Sequence, residues 1–381
     1  MLISKLTLKN WRNFKSIDID LTERVFIVGA NASGKSNLLD AIRFLKDIVK
    51  PGGGLQSSLT QRGGMSKVRC LSARKSPDIE IEVELSETPG DVCWRYAIGI
   101  TQQSRGQRLP VLRFERVWKN GAPVITRPEQ SDRDDDMRLT QTYLEQISAN
   151  KDFRPVAQFL DSVRYLHLVP QLLRSSEQYK GAATPDDPYG RNFLEMIART
   201  PEKTRRSRLK KIEGALKQAV PQMSGLVDMK DDAGVPHLEV LYEHWRPNAG
   251  RQREDQFSDG TLRLIGLFWS LLDGDSPLLL EEPELSLNAA IVRRLPNLFS
   301  QLLRRKSTQI FVTTHSWDLL SDKGIAAEEI VVLTPSSEGT KAQVGAQNEA
   351  IRTMLESGLS AADAALPLAT PENLELFELT A

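Results

Sequence analysis

The chain has 381 residues, 40% of them hydrophobic and 26% charged, with 50 Lys and Arg against 50 Asp and Glu. Such a length can bury a large core, and the even charge balance excludes a chain that coats nucleic acid through bulk charge, so any such contact must come from a local patch. Two cysteines, Cys70 and Cys93, are too few for a disulfide framework or a cysteine-based zinc site.

The N-terminus shows strand-like alternation rather than a signal peptide's apolar core, and no apolar run reaches the roughly 18 residues that span a bilayer, so a soluble, cytoplasmic protein with no membrane partner is expected. From Leu2 to Leu21, "LISKLTLKNWRNFKSIDIDL" alternates apolar with polar residues twice around a polar turn and predicts a hairpin. Arg24 to Val28 predicts a short buried strand. Leu38, Leu39, Ile42, Leu45, Ile48 and Val49 recur at helical spacing and predict a helix from Asn37 to Val49.

Lys50 to Met65 reads as a turn-rich loop, and Ile79–Leu85, Trp94–Ile100 and Val111–Trp118 as strands of an antiparallel sheet. Arg127 to Arg138 is charged enough to read as a surface loop. Helical periodicity prevails from Leu139 to Val220, broken at Val163–Pro170 and Gly181–Gly190, and predicts a helical insertion. From Leu238 the chain alternates: the strand "LEVLYEH", a helix Thr261–Leu272, the strand "PLLLEE", a helix Ala289–Leu303, then the strands "QIFVTTHS" and "EIVVLTP". Alternation of this kind predicts a parallel sheet with helices packed on it. The stretch from Asn348 reads as one helix and a short acidic terminus. The organisation expected is an N-terminal region over residues 1–126, a mostly helical insertion over 127–230 and a C-terminal region over 231–381.

Between the buried strand and its helix, Gly29, Gly34, Lys35 and Ser36 fit G-x-x-x-x-G-K-[ST]. Glycines let successive N–H groups turn inward onto phosphates, the helix adds the positive end of its dipole, Lys35 supplies a mobile cation and the Ser36 hydroxyl suits Mg2+. The motif predicts that a phosphorylated nucleotide is held here.

Four later segments carry groups that phosphate binding alone does not need. "SPLLLEEPELSLN" ends an apolar strand in Glu281 and Glu282; the first suits a Mg2+ shell and the second an attacking water, the alternative being an acidic strand end facing solvent. His315 follows a strand and suits a γ-phosphate, although a lone histidine is commonly structural. Ser258, Asp259 and Gly260 open an amphipathic helix, either as a plain N-cap or as an anion site. Gln171 lies in the break "HLVPQLLR" as a candidate Mg2+ sensor or a loop glutamine.

In this order GANASGKS, the candidate Q-loop, FSDGT, LLLEEPELSLN and TTHS resemble the ABC-type ATPases, and specifically the RecF/SMC/OLD-like branch of the AAA family. The opening "LTLKNWRNFKSIDIDL" is similar to that branch's first hairpin, whose Arg and Asn lie near the nucleotide; Arg12 and Asn13 match them. The resemblance implies an α/β P-loop NTPase head with a mixed, largely parallel sheet, flanking helices and an N-terminal antiparallel lobe. It implies ATP and Mg2+ as cofactors, with Asn31, Ser33 and Asn37 joining the loop residues around the nucleotide. It also implies a head-to-tail homodimer in which Ser258 and Gly260 act on the neighbour's ATP. The acidic pair departs from the commoner Asp-Glu, the signature reads Ser-Asp-Gly rather than Ser-Gly-Gly, and Asn288 stands where many relatives have Asp or His.

There is no room for an SMC-type coiled coil, and the stretch after His315 is too short for an OLD-type Toprim nuclease, so a stand-alone ATPase is expected. Family analogy implies the regulatory subunit of an anti-phage defence complex that controls a separate nuclease or toxin. A second class is a RecF-like DNA-repair clamp on duplex DNA, with Arg205, Arg206, Arg208, Lys210 and Lys211 as its candidate patch, although a charge run of this kind is also an ordinary solvated face; a third is a non-hydrolysing scaffold.

Overall fold

The computed structural model describes residues 1–73, 78–88, 90–103, 107–174, 187–243 and 250–370; a portion of the Gly181–Gly190 loop and the acidic terminus lie outside them. Contacts divide the chain into two units, one of Met1–Val163, Ser276–Leu279 and Pro296–Ala381 and the other of Arg164–Asp275 and Leu280–Leu295.

In the first unit, β1 (Leu2–Trp11) buries Leu6, Leu8 and Trp11, exposes Lys9, and pairs with β2 (Phe14–Asp20) across the turn at Arg12 and Asn13. Every residue of β3 (Arg24–Gly29) is buried, as a strand covered on both faces requires. α1 (Lys35–Val49) follows, packing Leu38, Leu39, Ile42, Leu45 and Ile48 inward. The stretch read as a loop contains α2 (Leu55–Gln61) and α3 (Met65–Val68), which bury Leu55, Leu59, Met65 and Val68. Its glycines punctuate these helices: Gly54 and Gly64, both at positive φ, are their N-caps.

β4 (Ile79–Ser86), β5 (Val92–Gln102), β6 (Pro110–Lys119) and β7 (Ala122–Arg127) complete an antiparallel sheet of order β2-β1-β4-β5-β6-β7. The charged stretch after it is largely exposed, as expected, but it is anchored by two buried charges. Arg127 and Asp132, the latter on α4 (Gln130–Asp134), have fully buried side chains. Arg127 bridges Glu115 at 3.0 Å and Asp132 at 2.8 Å and donates to the carbonyls of Arg138 and Gln141 at 2.9 Å. Local charge density could not show this, because Glu115 comes from β6.

α5 (Arg154–Ser162) packs on α1, where Lys46 donates to the Asp161 carbonyl. Asp47 on the same helix pairs with Lys50 at 2.5 Å and Arg62 at 2.8 Å. Burial pushes the Asp47 carboxyl up, but these cations outweigh it and hold the pKa below the usual aspartate value. A depressed folded pKa contributes stability that is present above about pH 4 and lost as the pH falls through the folded value. Thermal melts from neutral pH into acid should therefore show a shallower acid-side loss for Asp47→Asn than for the wild type.

The second unit begins with β8 (Arg164–Leu166), α6 (Pro170–Arg174), α7 (Phe193–Arg199) and α8 (Glu202–Ala219). β9 (Met223–Lys230), β10 (Pro236–Tyr242) and β11 (Arg251–Arg253) form a three-stranded sheet of order β11-β10-β9. Leu209, Ile212 and Leu216 of α8 share a core with Leu238 and Val240 of β10 and with Leu262, Ile265 and Trp269 of α9 (Asp259–Leu272). β12 (Leu278–Glu281) ends in this unit, next to β8, and leads to α10 (Ala289–Val292).

The single helix expected from Ala289 to Leu303 is two, α10 and α11 (Leu295–Leu303), because Pro296 has no N–H to continue the ladder from α10 and is instead accommodated in the first turn of α11. The first unit resumes with β13 (Ile310–Thr314), α12 (Trp317–Leu320), β14 (Ile330–Thr334) and β15 (Lys341–Val344). Its second sheet runs β15-β14-β3-β13-β12, with β3 parallel to both β13 and β14. The side chain of Gln309 ties the two sheets of this unit together, accepting from Ile3 N–H at 2.8 Å and donating to the Ile3 and Thr22 carbonyls. Past Asn348 the chain forms two helices, α13 (Glu349–Glu356) and α14 (Ala361–Ala369), separated at Gly358, which takes φ 87°. No helix among the described residues is long and apolar enough to cross a membrane.

Candidate functional site

The loop from Gly29 to Ser36 joins the C-terminal end of β3 to α1, in the context that the phosphate-binding motif requires. A Cβ on Gly29 would sit 2.4 Å from Ser33 Oγ and 2.9 Å from the Leu333 carbonyl, so only glycine fits between the loop and β14. Gly34 takes φ 101° as the N-cap of α1 and brings no side chain over the first turn, leaving that helix end open to an anion. A Cβ there would strike the Asn13 amide at 2.1 Å. Lys35 is buried, its ammonium 2.9 Å from the Gly29 carbonyl and 3.2 Å from that of Ala30, across the mouth of the loop. Ser33 Oγ is fully buried and makes no hydrogen bond within the protein, whereas Asn31 and Ser36 are exposed. A glycine-shaped cradle at a helix N-terminus with an ammonium in its mouth fits a phosphate chain.

Around this loop the first unit gathers Arg12, Asn13, Asn37 and His315. Arg12 sits at φ 52° and its guanidinium pairs with Asp40 on α1 at 3.0 Å. Asn37 donates to Asn13 Oδ1 at 2.8 Å, and Asn13 in turn donates to the Ser33 carbonyl at 2.8 Å. Thr314 stands opposite Val28 in the parallel register of β13 and β3, so the exposed His315 emerges at the level of Gly29.

The remaining residues lie in the second unit. Glu281 ends β12 and accepts a hydrogen bond from the Tyr165 hydroxyl of β8. Glu282 takes φ 44°, a left-handed conformation that costs a non-glycine residue on the order of 1 kcal/mol or more and that clusters at functional sites. Asn288 caps α10, accepting from Ala290 N–H at 2.9 Å. Ser258 is exposed and caps α9 through Thr261 N–H at 3.2 Å, so the plain capping role holds in this structure. Asp259 pairs with Arg174 at 2.6 Å and accepts from Gln171 Nε2 at 3.0 Å. The candidate Q-loop glutamine and the candidate signature aspartate are therefore in contact. A Cβ on Gly260 would meet the Ser286 carbonyl at 2.6 Å, which explains the glycine by packing. Arg263 of α9 is buried; burial pushes its guanidinium pKa down, against the charges of Glu284, Asp259 and Glu282.

Tyr165, Arg174 and Arg263 escaped sequence reasoning: no spacing rule links Tyr165 to Glu281, 116 positions on, or Arg174 to Asp259, and Arg263 sits inside an apolar helix pattern where nothing local marks it as facing Glu284. The basic segment of α8 is also rearranged. Arg205 pairs with Asp228 at 2.8 Å and Arg208 with Asp273 at 2.8 Å, while Arg206, Lys210 and Lys211 are exposed.

Comparison with known proteins bears on this geometry. Residues 24–322 match the family described as "AAA domain, putative AbiEii toxin, Type IV TA system". The DNA replication and repair protein RecF of Mesorhizobium japonicum is 36% identical over 124 residues, 30% of this chain and 31% of that protein. Endonuclease GajA of Bacillus cereus is 47% identical over 47 residues, 12% of this chain and 8% of that protein. The chain thus spans less than a third of the length of these curated relatives. Among solved structures, an SMC head bound to the C-winged helix domain of ScpA superposes with a TM-score of 0.54 at 16% identity, covering 90% of this chain and 98% of that one. At that identity the likeness is one of fold.

Proposed function

The chain belongs to this AAA-domain family and has the fold of the RecF/SMC/OLD-like ABC-type ATPases, and from that premise we propose that it binds ATP with Mg2+ and hydrolyses it to ADP and phosphate. The observation that carries the reading is the Gly29–Ser36 loop with the Lys35 ammonium buried in its mouth. The loop N–H groups and Lys35 hold the β- and γ-phosphates. Ser36, Gln171 and Glu281 offer the hard oxygen donors that Mg2+ takes, and the ion would offset charge on the phosphates. Glu282 accepts a proton from the water that attacks the γ-phosphorus, His315 donates to the γ-phosphate, and ADP leaves. Arg12, Asn13, Asn31, Ser33 and Asn37 complete the nucleotide's surroundings, and Ser258, Asp259 and Gly260 close on the ATP of a second copy in a head-to-tail dimer.

Calorimetric titration of ATP into wild type and Lys35→Ala tests the reading. Loss of a charge-assisted contact should weaken binding by roughly tenfold or more; equal affinities would refute phosphate capture by this loop.

Within that function the protein serves as the regulatory subunit of an anti-phage defence complex, its nucleotide state controlling a separate nuclease or toxin. The family's toxin description and the match to endonuclease GajA support this role. Co-purification with a second protein that is released on hydrolysis is the expected result. The second reading, a clamp on duplex DNA, is favoured by the RecF relatives and by the exposed Arg206, Lys210 and Lys211. ATP-dependent duplex binding that weakens steeply with salt would mark it.

A further inference from the structure

Thr340 lies in the turn between β14 and β15, more than three hundred residues from the phosphate loop, and is 6% exposed. The turn is closed by hydrogen bonds between Ser336 and Gly339 in both directions, at 3.2 and 3.1 Å. Gly339 takes φ 117°, and a Cβ there would lie 2.7 Å from the Asn13 carbonyl, so this turn meets the β1–β2 turn at a distance only glycine allows.

The contact is a double one. Thr340 N–H donates to the Asn13 carbonyl at 2.8 Å, and Asn13 Nδ2 donates to Thr340 Oγ1 at 2.7 Å. The same Nδ2 donates to the Ser33 carbonyl at 2.8 Å. An asparagine amide has two N–H groups, and both are committed here inside the protein. Asn13 therefore acts on the loop, whatever it offers a nucleotide. What it acts on is the Ser33–Gly34 peptide. A trans peptide points its N–H opposite to its C=O, so tying the Ser33 carbonyl to Asn13 turns the Gly34 N–H away from that turn and into the loop.

We infer that Asn13 and Thr340 form a brace that fixes the Ser33–Gly34 peptide with its N–H aimed at the bound phosphate, which makes Thr340 a positioning residue for phosphate capture. The inference rests on the phosphate-binding reading of the loop. Nothing in the order of motifs along the chain points to Thr340, since its hydroxyl reaches the loop only through Asn13.

Thr340→Val keeps the shape and removes the hydroxyl; Thr340→Ser keeps the hydroxyl. Amide hydrogen exchange over residues 29–37 of the nucleotide-free protein reads the brace directly, and ATP titration reads its consequence. Losing one hydrogen bond should raise loop exchange and weaken ATP binding by roughly three- to tenfold in Thr340→Val, with melting temperature nearly unchanged and both effects reversed in Thr340→Ser. Wild-type exchange and affinity in Thr340→Val would overturn the inference. Faster loop exchange in Thr340→Val, rescued by Thr340→Ser, supports the brace even if ATP fails to bind the wild type; that failure overturns the functional reading instead.

Discussion

Glu282→Gln is expected to lower ATP turnover by roughly a hundredfold or more while ATP affinity stays within about threefold of wild type, because a general base acts on the transition state and contributes little to ground-state binding. The amide is nearly isosteric with the carboxylate, so the φ 44° backbone at this position is kept and only proton acceptance is lost. Steady-state phosphate release together with ATP titration separates the two effects. Equal turnover in both proteins would move the base elsewhere. The neighbouring Glu281 is the nearest candidate in sequence, but its carboxylate already accepts from Tyr165, which suits a group held still for Mg2+ better than one that must accept a proton.

Arg127→Met is expected to cost roughly 3–5 kcal/mol of folding stability, the usual result of removing one member of a buried ionic network. Arg127 serves two carboxylates and two backbone carbonyls with its side chain wholly buried, and its guanidinium lies over the Tyr143 ring at 3.8 Å. Without it, Glu115 and Asp132 are left inside the protein. Burial already pushes the Glu115 carboxyl above its ordinary pKa, with Arg127 among the groups that oppose this, whereas Asp132 is held below its own despite burial, chiefly by Arg127. Removing the cation should therefore drive both carboxyls towards protonation. Denaturant melts should show the loss at neutral pH and a smaller one in mild acid. A melting curve superposable on wild type would mean that the network contributes nothing net.

The regions of the fold that read well from sequence are those governed by local periodicity. The β1–β2 hairpin, the buried β3, the helix after the loop and the strand–helix alternation from α9 to β13 follow from spacing that neighbouring residues enforce, whereas β10, which that alternation placed in a parallel sheet, pairs antiparallel with β9 and β11. Glycines misled where they serve as helix N-caps, as at Gly54 and Gly64, and composition misled where charges are internally paired, as at Arg127, Arg205 and Arg208. In the candidate site, the loop residues Gly29, Gly34 and Lys35 were legible because the motif's chemistry fixes its own spacing. Tyr165, Arg174 and Thr340 were not, because tertiary contact alone brings them to Glu281, Asp259 and Asn13.

In the proposed dimer two copies share each hydrolytic centre, the loop and carboxylates from one and Ser258 to Gly260 from the other. Mixing two inactive variants tests it most directly: Ser258→Arg, which blocks the signature segment, and Glu282→Gln, which lacks the base. After subunit exchange in equal amounts, mixed dimers hold one intact centre each, and phosphate release should rise to about a quarter of the wild-type rate. A mixture that never exceeds the mean of the two variants measured alone would contradict the claim.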